Sequence, residues 1–351
     1  MVYYQILFWI GIFALEFLIG YFLFTSILKK KKGTAVNILL FLLVSLGLLS
    51  VGEITIRTRD FITGNVPFFH SISSYYDENF GWKGKQIFGD AKTKKFKILI
   101  VGDSFTDGAG LAEGAMYYRS LQSENVELFV YGGRGYGTLQ EFLVIDRYFD
   151  QIRPDMVILQ VCSNDFINNL WELESRSYSN NNQLVRPYWI NGSIHHEFPR
   201  PFGRIRVFLS TYSRLGQRFF DILEAMNASL VNRGFLHTIE VEIREKDLSL
   251  PMFQDAVRVT DLLIKKMKER IGNTPLIAFP VDADEPYFRH FKRLFKENDV
   301  PFFAQIPEII RLKEAESGPM RLQDGGHWNA NAHALCGRIL LEFLGRGLKT
   351  R

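Results

Sequence analysis

The chain has 351 residues, of which 47% are apolar, and its 42 Lys and Arg against 38 Asp and Glu leave a formal charge of +4. That length can bury a sizeable core in one large or two modest domains. The basic excess is largely the run Lys29-Lys30-Lys31-Lys32, with no basic helix or aromatic-interleaved basic stripe elsewhere, so no nucleic-acid partner is expected. Two cysteines, Cys162 and Cys336, are too few for a disulfide scaffold and read as buried thiols, with a single bridge as the alternative.

Ile6 to Leu28 is an almost unbroken apolar stretch containing Glu16, and Ala35 to Gly52 is a second. Each approaches the roughly 20 residues that cross a bilayer. No basic segment precedes the first stretch, which is also too long for the apolar part of a signal peptide. Residues 1–56 are therefore expected to form a transmembrane helical hairpin, with the membrane as partner. The four lysines make the connecting loop cytoplasmic and put everything after Glu53 outside, against a weaker opposing signal from Arg57 and Arg59. A mid-membrane glutamate is costly, so Glu16 either faces the other helix or another protein, or stays protonated.

Residues 57–95 read as a connector, with Asp77-Glu78-Asn79-Phe80-Gly81-Trp82 its most distinctive piece. From Phe96 to about residue 349, strand-like runs alternate with helical patterns. The strands are expected at Lys97–Val101, Glu127–Tyr131, Met156–Val161, Leu276–Phe279 and Pro301–Ala304. Helices are expected over Leu139–Phe149, Met252–Ile271, Glu285–Glu297 and Ala330–Phe343. This alternation predicts a parallel sheet covered on both faces. Residues 168–250 form an insertion. It holds a polar tract at Ser177–Gln183, a hairpin turning at Asn191-Gly192, and an amphipathic helix over Val207–Leu230. Following a strand's C-terminal end, it would overhang the ligand-binding edge as a lid or platform, or serve as a structural cap.

Four short blocks carry the chemistry. Gly102-Asp103-Ser104-Phe105-Thr106-Asp107-Gly108 follows the apolar run Ile98–Val101 and delivers Ser104 to the C-terminal edge of a parallel strand, where open α/β sheets bind ligands. Phe105-Thr106 rules out a Gly-x-Ser-x-Gly elbow. The second block, Tyr131-Gly132-Gly133-Arg134-Gly135-Tyr136-Gly137-Thr138, has its glycines in the wrong order for a dinucleotide loop. The third is Val161-Cys162-Ser163-Asn164-Asp165, and the fourth is Asp324-Gly325-Gly326-His327 before the final helical run. Ser, His and Asp are the side chains a nucleophilic hydrolase needs. No metal-binding spacing accompanies His327 and His333, so metal catalysis is not expected.

In this order the four blocks resemble the SGNH, or GDSL-type, hydrolase family over roughly Phe96 to Phe343. The resemblance is strongest to its membrane-anchored bacterial members associated with cell-envelope or exopolysaccharide modification, which the Gly81-Trp82 connector and the Arg186-Pro187-Tyr188 hairpin also fit. It implies a flavodoxin-like three-layer α/β/α sandwich with about five parallel strands, following the transmembrane hairpin. It also implies Ser104 as nucleophile, His327 as base and Asp324 as the residue orienting it. The backbone N–H groups of Ser104 and Gly135 and the Asn164 amide become oxyanion donors, and no cofactor is involved. Cys162 stands where the family carries glycine. The implied activity is that of an inner-membrane esterase with an extracytoplasmic, periplasmic catalytic domain, acting on an O-acyl or O-acetyl ester of a glycan or lipid. Acyl transfer to an envelope polysaccharide and a catalytically idle glycan-binding scaffold remain alternatives, and envelope-assembly proteins are the partners such a setting offers. Tyr136, Phe166, Trp171 and Trp328 would stack on sugars, line an acyl pocket, or simply pack.

Overall fold

A computed structural model describes residues 2–29, 33–64, 68, 76–108, 110–177, 184–234 and 237–348. Most of the lysine run (30–32) and most of the polar tract (178–183) lie outside the described residues. The chain divides into two compact units, Met1–Tyr76 with Pro201–Arg233, and Asp77–Arg200 with Gly234–Arg351.

The first unit opens with α1 (Val2–Leu28) and α2 (Thr34–Ile62), both long and apolar enough to cross a membrane. Their large apolar side chains point outward along most of their length, as with Phe17, Phe41 and Leu48. The Ser50 hydroxyl donates to Glu16 Oε1 at 2.5 Å, so the one acid within α1 faces the neighbouring helix. Helix α2 runs six residues past the boundary expected at 56. Its last three turns carry Glu53, Arg57 and Asp60, all buried within the unit.

The second unit begins with β1 (Tyr76–Asp77), β2 (Gly81–Trp82), β3 (Lys85–Phe88), β4 (Phe96–Gly102), the one-turn α3 (Ser104–Asp107) and β5 (Val126–Gly132). It continues through α4 (Thr138–Ile152), β6 (Met156–Val161), the short α5 (Asp165–Asn168) and α6 (Trp171–Glu174), and the hairpin β7 (Arg186–Ile190) and β8 (Ser193–Glu197). The chain then supplies α7 (Gly203–Tyr212) and α8 (Arg214–Asn232) to the first unit. It returns as α9 (Ile239–Lys246), α10 (Pro251–Ile271), β9 (Leu276–Pro280), α11 (Tyr287–Glu297), α12 (Ile306–Ser317) and α13 (Ala330–Leu348).

The central sheet has the order β3-β5-β4-β6-β9. Strands β5, β4, β6 and β9 are parallel, in register Ile100↔Val130, Ile100↔Ile158 and Ile158↔Ile277. Side chains alternate between two cores, as strand geometry requires. Leu99, Val101, Leu159 and Val161 meet Val144, Ile264 and Phe291 of α4, α10 and α11 on one face. Ile98, Ile100, Ile158 and Phe279 meet Ile310, Ala332, Cys336 and Leu340 of α12 and α13 on the other. The three-layer α/β/α sandwich is thus present, with two departures from five parallel strands. Strand β3, within the stretch read as a connector, pairs antiparallel with β5 and covers its edge. Pro301–Ala304 contributes only one parallel bridge, Ala278↔Phe302, because Pro301 has no N–H to extend the ladder and the chain turns into α12.

The insertion is shared between the units. Its hairpin turns at Asn191 and Gly192, both at positive φ, and packs on the α/β unit through Trp189 N–H to Asn169 O at 2.9 Å. Its single expected helix is two helices, broken at Ser213, which is extended and whose hydroxyl accepts from Gly216 N–H. Residues 201–233 of the insertion belong to the helical unit, and its hairpin belongs to the α/β unit.

Candidate active site

Three neighbouring strands, β5, β4 and β6, release their chains at the same edge of the sheet, and each release carries one of the blocks. After β4, the Asp103 carboxylate accepts from Phe105 N–H at 2.9 Å and caps α3, placing Ser104 in its first turn. Gly108, left-handed at φ 97°, ends that turn after four residues. Burial pushes the Asp103 carboxyl up to about 6, against the lowering effect of the Phe105 N–H.

His327 and Asp324 come from the loop before α13. Asp324 Oδ1 accepts from the backbone N–H groups of Gly326 and His327 at 2.9 and 3.0 Å, folding the loop around its own carboxylate. The other oxygen, Oδ2, lies 2.7 Å from His327 Nδ1, and His327 Nε2 lies 2.9 Å from Ser104 Oγ. A carboxylate only accepts, so the consistent assignment has Nδ1–H donating to Asp324 and Nε2 accepting from the Ser104 hydroxyl. Burial works to raise the Asp324 carboxyl, but the hydrogen bonds from the His327 ring, His327 N–H and Gly326 N–H outweigh it and hold the carboxyl below its usual range. Such a chain can move the serine proton onto an imidazole while the ionised carboxylate steadies the resulting cation.

Gly135 lies on the loop after β5, at φ 67°. Asn164 opens α5 after β6 and is buried. The two loops are tied together: Asn168 Nδ2 donates to Gly135 O at 2.7 Å, and Asn164 Nδ2 reaches Tyr136 O at 3.4 Å. The long Asn164 contact leaves its amide weakly engaged by the protein. All five residues singled out in the sequence therefore sit on loops or short helix starts, with direct side-chain contacts joining Ser104, His327 and Asp324.

Other residues that shape the site escaped the reading of the sequence. Gln160 Oε1, buried in β6, accepts from Asp103 N–H at 3.1 Å and from the Thr106 hydroxyl at 2.8 Å, bracing the serine turn. A lone amide inside an apolar strand was the available signal, because a buried polar group must have partners. Asp282, just past β9, binds Cys162 Sγ at 3.1 Å and Ser163 Oγ at 2.9 Å. Cys162 thus donates its thiol where the family has no side chain, and burial pushes that thiol well above its usual range. Arg134, beside Gly135, pairs with Asp107 at 3.0 Å.

The four aromatics divide differently from a sugar platform. Tyr136, Phe166 and Trp328 are fully buried packing residues: Tyr136 donates to Trp82 O, Phe166 meets Phe291, and Trp328 meets Phe105. Only Trp171 is exposed, with its indole N–H on Phe198 O at 2.9 Å.

Residues 98–198 match the model of the family described as GDSL-like Lipase/Acylhydrolase, a segment that includes Ser104, Gly135 and Asn164. No curated protein matches the chain. Among solved structures it is similar to a psychrotrophic esterase, EstA, from Pseudoalteromonas sp., at 13% identity and a TM-score of 0.39, covering 73% of this chain and all of that one. It is likewise similar to a lipase/acylhydrolase from Enterococcus faecalis, at 13% identity and a TM-score of 0.37, covering 71% and 96% of the two chains.

Proposed function

We propose that this GDSL-type hydrolase, which acts on ester bonds, is a serine esterase that uses Ser104, His327 and Asp324. The unbroken hydrogen-bond chain from Asp324 through His327 to Ser104 carries the reading. Ser104 Oγ attacks the ester carbonyl carbon as its proton passes to His327 Nε2. The carbonyl oxygen becomes an oxyanion facing the N–H groups of Ser104 and Gly135 and the Asn164 amide. Donors of this kind each stabilise the transition state by about 3–4 kcal/mol. The imidazolium gives its proton to the departing alcohol, leaving an acyl-serine. Water, deprotonated by the same imidazole, attacks that carbonyl and releases the acid, and the proton returns to Ser104. In the full chain held in detergent, Ser104→Ala should abolish turnover of p-nitrophenyl acetate and labelling by a fluorophosphonate while leaving thermal unfolding unchanged. An unchanged rate in that variant sinks the nucleophile assignment.

The setting we propose is the outer face of an inner membrane, with the ester borne by a glycan or lipid. Helices α1 and α2 support the anchor, and the lysine run between them supports the orientation. Alkaline-phosphatase and green-fluorescent-protein fusions at Arg351 test it. A fluorescent fusion with a silent phosphatase would reverse the orientation.

A further inference from the structure

Helices α7 and α8 are built inside out for contact with water. In α8, the residues Phe219, Ile222, Leu223, Met226 and Leu230 fall on one stripe at helical spacing, and all are exposed, Ile222 at 59% and Met226 at 57%. Arg218, Asp221 and Ala225 lie on another exposed face. The side toward α7 is occupied by the Arg206–Glu224 ion pair at 2.7 Å, with Arg206 also over the Phe220 ring. Helix α7 continues the apolar exposure with Ile205 and Phe208, preceded by Phe202 at 79%.

The junction of the two helices is finished as chain ends are finished where water is absent. The final carbonyls of α7 accept from α1 and α2: Thr211 O from Gln5 Nε2, and Tyr212 O from Trp9 Nε1 at 2.8 Å and Arg57 Nη2 at 3.1 Å. The first N–H groups of α8, on Arg214 and Leu215, donate to the Glu53 carboxylate at 2.7 and 2.9 Å, as does the Ser213 hydroxyl at 2.8 Å. Gln5, Glu53 and Arg57 are themselves buried. A helix–helix corner in water can leave such groups to solvent, whereas in a bilayer they must be closed internally. A gap of about 380 Å³ among the four helices is lined by Phe8, Trp9, Leu49, Leu215 and Phe219, with Ser50 and Ser213 among the few polar lining residues.

We propose that α7 and α8 are an interfacial helix pair whose apolar face beds into the hydrocarbon of the bilayer, beside the helices that cross it. Helix α8 carries Arg218, Asp221 and Glu224 and is too polar to span, so it lies along the surface with its charged face toward water. The bilayer is favoured over a protein partner because the stripe continues the outward apolar surface of α1 and α2, already of membrane length.

This inference rests on the membrane anchor proposed above, and its test separates the two. Full-length chains bearing single nitroxide labels at Phe17→Cys, Asp221→Cys, Ile222→Cys or Met226→Cys are placed in nanodiscs, with the unsubstituted chain as background for the buried Cys162 and Cys336. Collision with oxygen, which favours lipid, is compared with collision with a water-soluble nickel chelate. The oxygen-to-nickel ratio at 222 and 226 should exceed that at 221 and lie below that at 17, which sits nearer the middle of the bilayer. A high ratio at 17 with a low ratio at 222 and 226 overturns the interfacial pair and leaves the anchor standing. Low ratios at all four sites overturn both. Shielding of 222 and 226 from both reagents means that protein covers the stripe, and also overturns the proposal.

Discussion

One oxygen of Asp282 accepts both the backbone N–H and the hydroxyl of Ser163, at 3.2 and 2.9 Å. Burial pushes this carboxyl up, and the donors from Cys162 and Ser163 work the other way. The contact fixes the residue before Asn164 from the loop just past β9, 119 positions away. Asp282→Ala should slow turnover about tenfold, the effect of about 1.4 kcal/mol of lost positioning. Little change in KM, with rate partly recovered in Asp282→Asn, is the pattern steady-state kinetics should return.

Asn164→Ala should lower kcat by roughly a hundredfold or more if its amide meets the oxyanion. Thermal unfolding should move little, because among the described residues the hydrogen bond that amide donates is the long one to Tyr136 O. Equal rates in the variant and the parent would remove Asn164 from the oxyanion site.

Asp324 should stay ionised to lower pH than an ordinary carboxyl, since its hydrogen bonds hold it below the usual range. Asp324→Asn should cost on the order of 10⁴ in kcat by favouring the wrong imidazole tautomer.

His333 is buried against Tyr117, and burial holds its imidazole down to about 4 from an ordinary 6.5. Between those values the unfolded chain binds a proton that the folded chain refuses. Stability is thus lost as pH falls from 6.5 toward 4, by up to about 3 kcal/mol. Asp103, raised to about 6, acts in the opposite direction over much of the same window. Denaturant titrations of the parent and His333→Gln should isolate the histidine: the parent should lose ground to the variant as pH drops, and their difference should be flat above pH 6.5.

Arg186 and Glu174 are fully buried and 3.0 Å apart. Arg186→Met strands the acid, so it should cost about 3–5 kcal/mol. Burial already pushes Glu174 up to about 7, so the loss should ease at low pH, where the stranded acid can protonate. Chemical denaturation at two pH values checks this.

The loops of Ser104 and Asn164 were legible because each follows a strongly apolar run whose end could be located, and the roles proposed for Ser104, Asn164 and His327 attach to residue type at a turn. What tertiary context decides was not. Lys85–Phe88 has no alternation that marks it as a strand, and it becomes one only because β5 offers an unpaired edge. In Val207–Leu230 the local signal for a break is the cap residue Ser213, and the corner is completed by Gln5, Trp9, Glu53 and Arg57 from remote helices. Tyr136, Phe166 and Trp328 show the same limit, since an aromatic near a catalytic motif reads alike whether it faces a ligand or the core.

The helical unit draws residues 201–233 from the middle of the chain, and this bears on how a water-soluble enzyme would be made. Trimming residues 1–76 alone takes away Gln5, Glu53 and Arg57 but leaves α7 and α8, with their corner uncapped and their apolar stripe bare. Such a shortened protein should aggregate during expression. Excising the loop-borne helices together with the N-terminal segment should instead yield a dispersible catalyst.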